Sequence, residues 1–307
     1  MSKLFSVVIP TYNQARFLTK SVTSVLSQSI NNYEIIIIDN FSNDETEKIV
    51  KEFKSDKIIY RKKNNNGVIG VSRNEGVRLS SGSWIAFLDS DDYWYNDRLK
   101  LISEFIYRQN EKDSYDVITT DEKWISNENK KNRIYKYGPF TKNFYKKLLI
   151  EGNCISNSAT VVKKDFLIKN NLQFSENKDF VTVEDYDFYL CLALKGAKFK
   201  FIHKVLGEHL FHKDSASSFI DKHLIALEKM IMFHISEKQN FSKNKKKLIK
   251  NLKCYIDLKK IVFQIKEKKN YGAAALIFIR NFVYRPIIFL NLLLKQIVNR
   301  ISNSYFH

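Results

Sequence analysis

The chain has 307 residues, 44% hydrophobic and 14% aromatic, enough to bury a substantial core, which excludes a disordered chain or a peptide-sized scaffold. Its net charge of +18 is uneven: residues 219–307 hold 18 Lys and Arg against 5 Asp and Glu, leaving +5 for the first 218, so the body of the chain is not marked as a nucleic-acid binder. No apolar run reaches the roughly 18 residues needed to span a bilayer, Met1–Pro10 lacks a secretory cleavage pattern, and Cys154, Cys191 and Cys254 lack metal-ligand spacing, so reduced thiols in a cytoplasmic protein are expected.

Phe5–Ile9 is rich in β-branched residues and stops at Pro10, which predicts a first strand with Thr11, Tyr12 and Asn13 in the loop at its carboxyl end. Phe17, Val22, Val25 and Leu26 recur at helical spacing, so a helix follows over 16–26. Tyr33–Ile38 reads as a strand buried on both faces, as in a parallel sheet, and it ends in Asp39. The turn Asn40–Asp44 then leads into a helix over 45–53, with Ser42 or Asn43 as its N-cap. A short strand is predicted at 57–61 and a helix at 70–79 carrying Arg73, where one arginine ordinarily faces solvent.

Trp84–Leu88 is an uninterrupted apolar run that breaks into Asp89, Ser90, Asp91 and Asp92. Three carboxylates within four residues repel one another unless a cation joins them, and a hard divalent ion that bridges carboxylates to phosphates fits that need. The alternative is a solvated acidic turn. Strands ending in polar residues would line one edge of one sheet, where open α/β sheets bind ligands. Beyond it the pattern predicts helices at 97–108 and 144–150, strands between 117 and 134 with a polar hairpin at 126–132, and a helix over 186–194 preceded by Glu184 and Asp185, acidic residues that favour a helix N-terminus.

Taken in order, Val7-Val8-Ile9-Pro10-Thr11-Tyr12-Asn13, Ile38–Thr46, Asn66-Gly67, Ser72-Arg73-Asn74-Glu75-Gly76, Phe87–Asp92, Val183–Asp187 and Phe211–Ser215 resemble the motifs of the family 2 glycosyltransferases over roughly residues 5–217. The resemblance implies the GT-A fold: an α/β, Rossmann-like, mostly parallel sheet flanked by helices, here over residues 1–217, with a basic helical extension over 218–307. It implies that Pro10, Thr11, Tyr12, Asn13, Asp39, Arg73, Asp89 and Ser90 bind a nucleotide-sugar, with UDP as its nucleotide. Asp89 and Asp91 form the Asp-X-Asp motif, with Asp91, Asp89 and His212 toward Mn2+ or Mg2+, Asp91 as the direct ligand and Asp89 facing the ribose or the metal, and Glu184 and Asp92 in support. Asp185 corresponds to the catalytic base of an inverting, non-processive transfer to a saccharide or lipid-linked acceptor in surface-polysaccharide synthesis. Asn40 departs from the second Asp of many relatives.

The tail is rich in helix formers. Leu276, Ile279, Val283, Ile287, Leu290, Leu294, Ile297 and Ile301 recur every three or four residues, with Arg280, Arg285, Lys295 and Arg300 off that stripe, and Pro286 begins a second helix or kinks the first. Such a helix either rests on a membrane surface, here the cytoplasmic face of an inner membrane, or packs on protein. A basic nucleic-acid- or membrane-binding protein without catalysis and a nucleotidyltransferase are the competing readings; no glycine-rich phosphate loop supports the latter, and no nucleic-acid partner is expected.

Overall fold

In the computed structural model, described over residues 3–108, 114–126, 132–212, 220–238, 245–266 and 268–294, strand β1 (Phe5–Thr11) is buried at every position. Its alternate side chains feed two layers. Phe5, Val7 and Ile9 face a cluster that includes Leu18, Val22 and Val25 of α1 (Ala15–Leu26). Val8, on the opposite face, meets Gly76 of α3 (Ile69–Leu79), where a Cβ would come within 2.3 Å of the valine Cγ1. A strand covered on both sides needs apolar residues throughout, which is why it reads as a continuous run.

β2 (Tyr33–Asp39) runs parallel to β1 and aligns Asp39 with Thr11; β3 (Ile58–Lys62) lies beyond it, after α2 (Thr46–Glu52). On the other side β4 (Trp84–Phe87) pairs parallel to β1, with Phe87 opposite Val8. Parallel pairing and this register bring the loops after β1, β2 and β4 to one edge. β4 is followed by β5 (Tyr93–Trp94) and α4 (Arg98–Tyr107). The remainder is β6 (Val117–Ser126), β7 (Asn132–Tyr135), α5 (Phe144–Glu151), β8 (Thr160–Lys163), α6 (Lys164–Lys169), a 3-10 turn at Lys178–Phe180, α7 (Glu184–Leu194) and β9 (Phe199–Phe211). The nine strands form one mixed sheet in the order β3-β2-β1-β4-β8-β6-β9-β5, with β7 on β6. The four parallel strands at one end give way to antiparallel pairs at β4–β8, β8–β6 and β9–β5.

One local expectation needs correction, and one strand has no signal in the sequence. Neither Ser42 nor Asn43 caps α2; Asp44 accepts from the Thr46 N–H at 3.0 Å and from the Ala15 N–H at 3.0 Å, while Ser42 turns toward Asp39. β9 carries Lys200, His203, Lys204 and Glu208 and has no apolar run to announce it. Its 13 residues are held in extended form by pairing along β6.

The chain divides into two compact units, Met1–Ser218 and Phe219–His307. The second is helical: α8 (Ile220–Phe233) with a π-helical turn at His234–Lys238, α9 (Lys245–Lys266), α10 (Tyr271–Tyr284) and α11 (286–294), which opens at Pro286. Cys254, Leu258 and Ile261 of α9 pack against Ala274 and Phe289. Buried Asp257 accepts from Arg280 and from the Asn281 amide, each at 2.8 Å.

Candidate active site

The edge at the carboxyl ends of β1 and β2 is tied together by polar side chains. The Asn13 N–H donates to Ser42 Oγ at 2.9 Å, and Asn13 Oδ1 accepts from the Asn43 N–H at 2.9 Å. Asn13 has φ of +51° and Phe41 +56°, left-handed conformations that asparagine tolerates and a phenylalanine adopts only at some cost. Asp39 is closed from solvent: Oδ1 accepts from the Ser42 N–H and hydroxyl at 2.9 and 2.5 Å, and Oδ2 from the Tyr60 hydroxyl at 2.6 Å. Burial, followed by the Asp39 carboxylate, pushes the Tyr60 phenol well up, so it stays a donor. Among the residues expected to bind the donor here, Pro10 and Thr11 are buried and Tyr12 is 53% exposed, beside an equally open Phe41. Asn40, the family departure, accepts from the Asn65 N–H at 2.9 Å and so orders the loop before α3.

The acidic turn after β4 does not hold three carboxylates in one place. Each goes to a different partner. Asp89 Oδ1 accepts from Arg73 Nη2 at 2.8 Å, and Arg73 Nη1 donates to Glu184 Oε1 at 2.6 Å. Arg73 is 3% exposed, against the expectation of a solvated arginine. Burial opposes its charge, but Asp89 and Glu184 outweigh it and hold the guanidinium firmly cationic. Asp91 Oδ2 lies 2.9 Å from His212 Nε2, and the imidazole is stacked on Phe17 with ring centroids 4.7 Å apart. Asp92 is buried; it accepts from the Ser158 hydroxyl at 2.6 Å and the Leu210 N–H at 2.9 Å, and lies 3.0 Å from His209 Nδ1. Burial works against a charged His209, yet the Asp92 carboxylate lifts it to about 10. With three donors converging on Asp92, the pair is an ion pair that pins the turn to β9. Ser90, between these residues, is buried.

Asp185 sits in the first turn of α7, next to Glu184. Its Oδ1 accepts from the Tyr186 N–H at 2.7 Å. Burial and then the Glu184 charge push its carboxyl up to about 7, with Arg73 pulling the other way. Arg73 thus gathers Asp89, Glu184 and Asp185 from segments about a hundred positions apart. Ser158, His209, Tyr60 and Asn157 were missed in the sequence. Asn157 places Nδ2 3.4 Å from Asp89 Oδ1 and accepts from the Tyr189 hydroxyl at 3.1 Å. Only His209, close before His212, carried a signal, and a single histidine on an irregular strand is a weak one.

A carboxylate–imidazole pair such as Asp91 and His212 suits a borderline cation like Mn2+, so these two residues fit the divalent ion expected from the sequence, while Asp89 is turned to Arg73 and does not share one ligand cluster with them. Beside Phe17, Arg16 lines an open cavity of about 680 Å³ with Lys20, Tyr93 and Tyr95, and Lys20 Nζ lies 3.4 Å from the centroid of the Tyr93 ring.

Residues 6–169 match the family model described as glycosyl transferase family 2. A relative from Rickettsia bellii, named an uncharacterized glycosyltransferase, is 35% identical over 173 residues, which is 56% of this chain but only 24% of that protein. The chain thus spans about a quarter of that relative's length. The Escherichia coli UDP-Glc:alpha-D-GlcNAc-diphosphoundecaprenol beta-1,3-glucosyltransferase WfgD is 32% identical over 195 residues, 62% of this chain and 69% of that one. The crystal structure of Staphylococcus aureus TarS 1-349 in complex with UDP-GlcNAc superposes with a TM-score of 0.64 at 19% identity, covering 88% of this chain and 79% of that one, a likeness of fold. With the family model spanning more than half of its length and the same fold in the solved structure, the chain belongs to glycosyl transferase family 2.

Proposed function

We propose that the chain transfers one sugar at a time, with inversion, from a UDP-sugar to a saccharide or lipid-linked acceptor during surface-polysaccharide synthesis on the cytoplasmic side of the membrane. The observation that carries this reading is the Arg73 junction, which brings the Asp-X-Asp turn and the Glu184-Asp185 helix start into one electrostatic unit. The named activity of WfgD supports a UDP-sugar donor and a diphosphoundecaprenol-linked acceptor.

Asp185 is the general base of this reading. With Oδ1 held by the Tyr186 N–H, Oδ2 takes the proton of the acceptor hydroxyl as that oxygen attacks the anomeric carbon from the face opposite the departing diphosphate. A carboxyl lifted to about 7 is a stronger base than an ordinary aspartate and is still half ionised near neutrality. Arg73 keeps α7 and the acidic turn in register, so that base and leaving-group site are fixed before the donor arrives. A Mn2+ or Mg2+ ion held by Asp91 and His212 would supply the positive charge that stabilises a diphosphate leaving group. Tyr12 offers an exposed ring for the base of the nucleotide. Tyr93, Tyr95 and Lys20 in the adjoining cavity offer rings and a cation to the acceptor.

A panel of nucleotide-sugars incubated with the protein and Mn2+ tests the reading. Slow, metal-dependent release of UDP from one of them is the expected result; failure to bind any nucleotide, with or without metal, overturns it.

A further inference from the structure

The apolar stripe of the tail could have been the face that packs on protein, and over its described part, Leu276 to Leu294, it is not the face turned to α9; Ile297 and Ile301 lie outside the described residues. Ala274 and Phe289 turn inward onto α9, with Ile277, Ile288, Leu292 and Leu293 packed around them and Asn281 bonded to Asp257. Leu276, Ile279, Val283, Tyr284, Ile287 and Leu294 are each more than half exposed. Large side chains placed this way form a contiguous apolar surface along α10 and α11, beyond the scattered exposed residues every soluble protein carries.

The charge around this surface selects what covers it. After Glu267 the chain has no Asp or Glu, while it has six Lys and Arg: Lys268, Lys269, Arg280, Arg285, Lys295 and Arg300. Arg280 and Arg285 share the single carboxylate of Asp257, at 2.8 and 3.8 Å, one negative charge for two positive ones, so two copies meeting through this face would still bring like charges together. An anionic lipid surface supplies both halves of the match, an apolar interior for the stripe and negative headgroups for the cations. Depth is limited by length. At 14 residues α10 is about 21 Å long, short of the ~30 Å hydrocarbon core, and among the described residues no helix is long and apolar enough to cross a membrane.

We propose that the exposed face of α10 and α11 lies in the plane of an anionic bilayer and attaches the chain to it peripherally. This stands apart from the catalytic reading, although a lipid-linked acceptor would be confined to the same surface.

The test is co-sedimentation of the full-length protein with vesicles of phosphatidylethanolamine and phosphatidylglycerol, and with phosphatidylcholine vesicles, comparing wild type with Leu276→Glu/Val283→Glu/Ile287→Glu. The expected result is binding to the anionic vesicles, weaker binding to the neutral ones, and a loss of roughly 100-fold or more in the triple variant, with donor hydrolysis unchanged. Single variants Leu276→Glu and Ile287→Glu, whose side chains point to solvent, give the same reading in graded form if the triple variant does not fold. Wild type that stays in the supernatant, or variants that bind as wild type does, overturns the proposal. So does light scattering that shows a lipid-free dimer dissolved by the same substitutions, since a second copy would then be the occupant.

Discussion

Asp185 and Asp91 are nearly alike as isolated side chains and differ by what surrounds them. Asp185 is lifted to about 7 by burial and by Glu184, the direction that makes a base; Asp91 faces an imidazole, the company of a metal ligand. Replacing Asp185 by Asn keeps size and shape but removes the proposed base, so turnover is expected to fall roughly 100- to 10,000-fold with donor affinity nearly unchanged; isothermal titration beside steady-state kinetics checks both. Because the base must be ionised, kcat/KM of the wild type should drop about tenfold per pH unit below about 7, and this acid limb should be missing from the residual activity of the Asn variant. Asp91→Asn has a different signature. It should weaken Mn2+-dependent donor binding while leaving metal-free nucleotide binding largely intact, which donor titrations with Mn2+ and with EDTA separate.

The contact of α3 with β1 shows how elements hold the site. Gly76 stands where the helix approaches closest, and an added Cβ would sit 2.3 Å from Val8 Cγ1. On propensity alone, Gly76→Ala should stabilise the helix by roughly 1 kcal/mol. The overlap with a valine fixed in a central strand wins, because overpacking a close-packed core costs about 1 to 3 kcal/mol. A lower urea midpoint for Gly76→Ala is therefore expected, with reduced turnover, since Arg73 lies one turn earlier on the same helix and would be displaced from Asp89 and Glu184. Ser158 has a comparable place: its hydroxyl accepts from the Asp89 N–H at 3.0 Å and donates to Asp92, bracing the acidic turn from the turn that precedes β8.

At the scale of the whole molecule the charge is segregated, with an acidic site in the first unit and a cationic, apolar tail in the second. These should answer to salt differently. At 1 M NaCl the screening length is about 3 Å, so vesicle binding through exposed Arg and Lys should weaken strongly. Donor hydrolysis should change little, because Arg73, Asp89 and Glu184 interact at contact distance in a largely buried cluster. Parallel sedimentation and hydrolysis across a salt series checks this.

Much of the first hundred residues was legible in the sequence: the alternation of strands and helices, the strand ending in Asp39, and the apolar run that breaks at Asp89. Those features rest on local periodicity, and local periodicity is what a linear sequence displays. The motif set also named the family, and the stripe from Leu276 to Leu294 was visible as a stripe. What each acidic residue does was decided only in three dimensions. Arg73 became buried because Glu184, 111 positions away, reaches it; Asp39 closed over Ser42 and Tyr60; β9, polar along much of its length, became a strand because β6 pairs with it. Nor could spacing tell which face of the tail helices turns inward, since two faces were apolar and only the packing of α9 chose between them. A sequence records each residue's own preferences; burial, pairing of charges and the choice of a packing face are properties of pairs far apart along the chain.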